Sequence, residues 1–329
     1  MSKPKIAIVG AGISAAILTY NLAKVAEVHV YDKARGPGGR CSSRRFEDIN
    51  FDHGASYFKL SDEDCNLFKK LTGQAPAKWQ IKSHLYLKDL ENQLNLTSAS
   101  AETVYLMQPR MNSLIRDLLT DNSNSLNFQT RIEHIRRDND KYKLIDDKYN
   151  VYDDFEQVFV TAPPAQAAQM LSEFTISENI NRKHDMYPDF VMMLATRKRL
   201  EQDFDIAKIK NSMISEVIAE HRKPAKDFKD YGVYTVRLHR DYTFRNVDKN
   251  PDKVLAATKE EFSNLFKYDL TEIVYESLHR WLYSGTSNEK LAGKFLQEDE
   301  IYIVGDWLAG NELKDSLQVC NSYLKALAG

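Results

Sequence analysis

Two hydrophobic periods organise this chain. The uncharged stretch Ile6 to Ala23 opens with the β-branched run Ile6–Val9, is broken by Gly10-Ala11-Gly12, and resumes with helix formers from Ser14. Lys3 and Lys5 ahead of an apolar stretch also fit a secretory signal peptide, and the stretch approaches the lower length limit of a spanning helix. The glycines break any single helix, however, so the pattern predicts strand, tight turn, helix. Glu27–Tyr31 reads as the next strand. Further on, Met111–Leu119 reads as a helix, Ser125–Arg136 and Lys141–Asp146 as strands of a meander, and Phe155–Thr161 as a buried strand ending at Ala162-Pro163-Pro164. From about Glu178 to Arg280, apolar runs such as Phe190–Ala195 alternate with charged loops. Glu300–Val304 is a strand, Gly305-Asp306 a turn and Ser316–Leu327 a helix. The fold class expected is α/β: a Rossmann-type cofactor domain built from both chain ends (1–60, 100–175 and 285–329) and a second, mixed-sheet substrate domain (61–99 and 176–284).

Composition narrows the class only modestly. At 329 residues, 43% hydrophobic and 28% charged, the chain can bury a sizeable core in one or two joined domains. A net charge of −2 gives no reason to expect nucleic acid or an anionic membrane as partner. Cys41, Cys65 and Cys320 are odd in number and widely spaced, which suits a reducing cytoplasm better than a disulfide framework or a zinc site. No Ser-His-Asp order, metal-ligand spacing or paired acidic motif points to hydrolysis.

The glycine stretch is the first chemical signal. In G-x-G-x-x-A, Gly10 permits a tight turn, Gly12 lets the backbone approach a pyrophosphate, and small Ala15 lets helix and strand pack closely. The helix N-terminus beginning near Ser14 offers free N–H groups to an anion. Asp32 follows Gly12 by about 20 residues, where a carboxylate accepts hydrogen bonds from a ribose. A second loop, Arg35-Gly-Pro-Gly-Gly-Arg40, and the terminal Gly305-Asp306 turn imply a ligand longer than a nicotinamide dinucleotide.

These residues together resemble a known family. Gly10-Ala-Gly-Ile-Ser14 with Ala15, Asp32-Lys33, Arg35–Arg40, Phe51-Asp-His-Gly-Ala-Ser-Tyr-Phe58, Arg280-Trp281 and Ile303-Val-Gly-Asp-Trp307 resemble, in order, the flavin amine-oxidase superfamily, most closely its renalase-like bacterial branch. The resemblance spans nearly the whole chain and is dense at its ends. It implies noncovalent FAD, oxidation of dihydronicotinamide isomers of NAD(P), and oxygen as acceptor. The cofactor contacts it implies are Gly10, Gly12, Ser14, Ala15, Asp32, Lys33, Arg35, Gly39, Arg40, Gly54, Ala55, Ile132, Gly305, Asp306 and Ser316. Within that set, Arg40 is placed to reach the phosphates and Asp306 a ribityl hydroxyl, while Arg35 shares a generally basic loop with Arg44 and Arg45. The chain departs from the pattern at Ala15, at Arg110, and at Leu313-Lys-Asp-Ser316, where Asp315 and Ser316 suit helix capping.

For substrate, Ser56, Tyr57, Phe58, His239, Arg280 and Trp281 are the expected contacts, and Tyr57, Trp281 and His53 the catalytic candidates. Tyr57, Phe58 and Trp281 offer flat walls to a planar substrate, or else simply pack the core. His53 suits a general base, yet hydride transfer from a dihydropyridine requires none. His239, with Arg240 and Arg245, suits dinucleotide phosphates or an exposed basic segment equally. Amine oxidation, desaturation, or flavin binding without turnover stand as alternative functions.

Overall fold

The computed structural model describes residues 3–181, 186–229, 231–286 and 294–328. Its first sheet has six strands in the order Leu296–Glu298, Ile301–Ile303, Gln157–Val160, Lys5–Val9, Glu27–Tyr31 and Ser125–Asn127. All neighbours run parallel except the first pair. Parallel strands are covered on both faces, which is why Ile6–Val9 and Val158–Val160 read as unbroken apolar runs. Helices Ile13–Leu22, Ser113–Asn122 and Leu313–Ala328 accompany this sheet, the first packing against both others.

The second sheet has seven strands: Ile273–Thr286, Met186–Thr196, Gly232–Leu238, Ile214–Ala219, Ile206–Lys210, Ala77–Lys88 and Leu94–Leu106. Strand alternation divides its two faces. Phe190, Met192 and Leu194 join the core with Val254, Phe262 and Leu265 of helix Pro251–Phe266, whereas Met193 and Ala195 turn to Ile49 and Phe51. Those two residues belong to a ribbon of Arg44–Phe46 and Ile49–Phe51 that carries the chain from the first sheet towards the second.

Several elements differ from the sequence expectation. Ser125–Asn127 joins the parallel sheet, and a new strand, Ile132–Asp138, opens a separate three-stranded meander with Lys141–Asp146 and Val151–Phe155. Strand Leu94–Leu106 runs straight through the expected boundary at residue 100. Helix Asp62–Thr72, expected with the second unit, buries Phe68 and Leu71 in the first core and packs against the helices at both chain ends. Its amphipathic stripe had to cover an apolar surface, and the nearest one is the Rossmann layer. Among the described residues, no helix is long and apolar enough to cross a membrane, and no group of three metal-ligating side chains is assembled.

Candidate functional site

Strand register builds the site. Val9 lies level with both Tyr31 and Val160, and Val160 with Ile303. The residues that follow these strand ends, Gly10, Asp32, Thr161 and the Val304–Asp306 segment, therefore emerge together. In open α/β sheets, ligands bind at these carboxyl ends. A cavity of about 550 Å³ lies there and runs on to strand Ile273–Thr286 of the second sheet.

Glycines bring three loops into contact. Gly10 has φ +112°, and a Cβ there would stand 2.3 Å from the Thr161 hydroxyl. A Cβ on Gly54 would lie 2.1 Å from the Arg40 carbonyl oxygen. Without side chains the loops zip together: the Gly54 N–H donates to the Ser42 carbonyl at 3.1 Å and the Ala55 N–H to that of Arg40 at 2.7 Å. Helix Ile13–Leu22 starts at Gly12 with no side-chain cap and no acidic residue in its first turn. Its orphan N–H groups line the cavity and suit a phosphate.

Polar side chains mark the path. Asp32 accepts from the Ala11 N–H at 2.6 Å through one carboxylate oxygen and from the Ala34 N–H at 2.7 Å through the other. Burial raises its pKa, against the pull of those two bonds. Each oxygen retains a lone pair for a ribose hydroxyl. Arg40 and Asp306, both in the cavity lining, are joined in an ion pair. The sequence reading places these two on separate parts of a ligand; the structure makes them one unit. Asp315 accepts from the Glu312 N–H at 2.8 Å, the backward arm of a capping box, whereas Ser316 faces the cavity. Cys41 also lines the cavity, its thiol pushed up to about 12 by burial, so it acts as a small neutral filler.

The far end is aromatic. Strand Ile273–Thr286 turns alternate residues towards the ribbon and cavity: Tyr275 stacks on Phe46 and Phe51, Ser277 accepts from Arg44 at 3.0 Å, and His279 and Trp281 meet His53. The His53 ring lies 5.5 Å from that of Trp281 at 23° and 4.8 Å from that of His279, edge-on. The Trp281 indole N–H donates to the His53 carbonyl at 3.0 Å, fixing the wall. Burial, with the neighbouring imidazole, lowers the pKa of His53 to about 3, and burial beside Arg44 lowers that of His279 to about 4.

Behind this wall lies a buried square of charge. The Lys223 ammonium sits 2.9 Å from both Asp52 and Glu220, and Lys226 bridges the same two carboxylates, 2.7 Å from Asp52. Asp52 also accepts from Ser43 at 2.5 Å and from the Met111 N–H at 3.1 Å. Despite its burial, the two lysines hold its pKa far below the usual carboxylate range. This network locks the segment carrying His53 to the second sheet.

Most predicted residues converge, but some do not. Gly10, Gly12, Ser14, Asp32, Lys33, Gly39, Arg40, Ala55, Ile132, Asp306 and Ser316 line the cavity, as do His53, Phe58, Arg280 and Trp281. Ala15 is buried in helix packing, and Gly54 and Gly305 shape loops without lining it. Arg35 and Ser56 lie outside the lining; the Ser56 hydroxyl donates to the Asp52 carbonyl at 2.8 Å. Tyr57 also turns away, because its hydroxyl donates to Glu216 at 2.7 Å, in a cluster where Arg237 holds Asp189 at 2.9 Å. Its ring is not part of the cavity lining. His239 stands outside the cavity, capping helix Arg240–Asn246 through its ring nitrogen. Arg280 directs its guanidinium to the Val247 carbonyl at 2.7 Å. Sequence reasoning missed His279 and Thr161 in the lining. The i, i+2 series Tyr275, Ser277, His279, Trp281, Tyr283 was the available signal for the first.

Comparison with known proteins places this geometry. Residues 8–72 match the profile of an NAD(P)-binding Rossmann-like domain. A candidate protoporphyrinogen oxidase from Exiguobacterium sp. 255-15 has a TM-score of 0.77 at 13% identity over 99% of each chain. An oxidoreductase from Methanosarcina mazei scores 0.73 at 11% identity, covering 98% of this chain and 100% of its own. Wild-type putrescine oxidase, solved with putrescine bound, scores 0.72 at 8% identity over 99% of each chain. The chain thus carries an NAD(P)-binding Rossmann-like domain over residues 8–72 and shares, over nearly its whole length, the fold of these solved oxidoreductases.

Proposed function

We propose that this protein is an FAD-dependent oxidase that takes a hydride from a dihydronicotinamide, an isomer of NAD(P)H, with oxygen as the electron acceptor and hydrogen peroxide as product. The observation that carries the reading is one continuous cavity joining the uncapped helix N-terminus and Asp32 to the His53–Trp281 wall, with Arg40 and Asp306 in its lining. The residues fit noncovalent FAD: open helix N–H groups for the pyrophosphate, Asp32 for the ribose, and the Arg40–Asp306 pair within reach of the polar middle. When bound, FAD supplies the hydride acceptor. The chain's own task is orientation and shielding. Trp281 and His53 form a flat wall against which a planar ring stacks, and both imidazoles stay neutral above about pH 4.

Rapid anaerobic mixing tests the reading. Dihydronicotinamide isomers are expected to bleach the flavin faster than ordinary NAD(P)H or simple amines. If amines bleach it and every dihydronicotinamide fails, amine oxidation replaces this proposal; if nothing bleaches it, the protein binds flavin without turnover.

A further inference from the structure

His279 has two ring nitrogens, and neither has a hydrogen-bond partner among the described residues, although the ring lines the cavity. Its orientation is nonetheless fixed. The ring is held edge-on by His53, 4.8 Å away, and by Trp281, 4.5 Å away. Strand alternation puts it on the same face as Trp281, so a ring stacked on that wall presents its edge to the imidazole. A neutral imidazole carries one donor and one acceptor.

Charge at this end selects among substrates. The cavity's carboxylates are Asp32, Glu133, Asp306 and Glu312 among the described residues. Asp306 is paired with Arg40, and Glu312 with Lys314 at 2.7 Å. Asp32 belongs to the glycine end, and Glu133 follows Thr130, whose N–H donates to the Asp32 carbonyl at 2.9 Å. Asp189, level with Trp281 on the neighbouring strand, is held by Arg237 at 2.9 Å, so among the described residues no unpaired carboxylate faces the aromatic wall to receive an ammonium group. The charged or titratable neighbours acting on His279 are Arg44 and His53.

We propose that His279 is the specificity-determining contact of the substrate site, hydrogen-bonding a neutral planar substituent, a carboxamide, on the edge of the stacked ring. This inference rests on the dihydronicotinamide reading above. A carboxamide offers both an N–H and a carbonyl, so it matches the imidazole in either tautomer. A diamine offers only cations, which this end does not neutralise.

The test uses two probes uncharged at neutral pH on the FAD-loaded protein, nicotinamide and 3-methylpyridine, read by perturbation of the flavin spectrum. The first carries the carboxamide and the second a methyl group in its place. The wild type is expected to prefer the carboxamide by about three- to tenfold, the value of one neutral hydrogen bond. His279→Phe is expected to erase the preference while still binding the methyl probe, and His279→Gln, which restores a donor and an acceptor, to recover part of it. Equal preference in wild type and His279→Phe overturns the inference and leaves the oxidase reading intact. Should neither probe perturb the flavin of the wild type, the dihydronicotinamide reading falls and the inference with it. Reduced FAD retention in His279→Phe is controlled by His279→Gln, which keeps the polar ring edge; a Gln variant that folds and shows no preference also overturns it.

Discussion

The two ends of the cavity are built by different means. At the glycine end, backbone does the shaping: Gly10 against Thr161 and Gly54 against Arg40 bring loops within distances a Cβ would not allow, and Gly39, at φ +51°, packs tightly on Gly12. At the aromatic end, side chains do it. His53, His279 and Trp281 come from segments more than two hundred residues apart; the Asp52–Glu220–Lys223–Lys226 square ties the His53 segment to the second sheet, and the Trp281 indole bonds it directly. A backbone-built end should tolerate loss of a polar side chain with little change of shape, losing only ligand affinity. An end held by buried charges should fail structurally when one charge is removed.

The largest expected effect follows from that contrast. Lys226→Met leaves Lys223 alone between two buried carboxylates and is expected to cost about 3–5 kcal/mol of stability by chemical denaturation. Asp52's folded pKa lies below its unfolded value, so its contribution is complete above about pH 4 and is lost as pH falls through the folded pKa. A variant as stable as the wild type would show that the square is not what fixes this end. Next in size, Asp32→Ala or Arg40→Ala is expected to weaken FAD binding by about tenfold to a hundredfold with the fold retained. Unchanged dissociation constants in both would refute these contacts. Gly54→Ala brings the contrast into one substitution: a single methyl at the Arg40 carbonyl should destabilise by about 1–3 kcal/mol and reduce FAD retention through loop displacement, both measured on the same preparation.

The same contrast explains what was legible in the sequence. Gly10, Gly12 and Asp32 were readable because turn chemistry and a strand-to-strand interval are local. Arg40 and Asp306 were each readable from short motifs, yet their pairing joins opposite chain ends and leaves no local trace. Tyr57 read as a wall because its neighbours are aromatic. Its partner Glu216 lies on a strand of the second sheet, and a hydroxyl-to-carboxylate bond across that distance outweighed facing the cavity. His239 suited dinucleotide phosphates and an exposed basic segment equally, and it stands at a helix start. His279 was overlooked because Trp281 dominated its strand, although the period-two pattern placed both on one face.

The last predicted effect is in the pH dependence of the aromatic end. His53 and His279 titrate at about 3 and about 4 when folded and near 6.5 when unfolded. Between those values the unfolded chain binds more protons, so stability is full above about pH 6.5 and falls as pH drops towards about 4. His279→Phe should flatten the slope of Tm against pH in that window. An unchanged slope would contradict a buried neutral His279.

FAD is expected to occupy the cavity from its glycine end, with the substrate meeting it at the aromatic wall. The direct measurement is to purify the protein, denature it, and identify the released nucleotide by absorption and mass. The account predicts a yellow protein that releases FAD in an amount matching the protein. Release of NAD(P) alone, or failure to take up FAD on reconstitution, would contradict it.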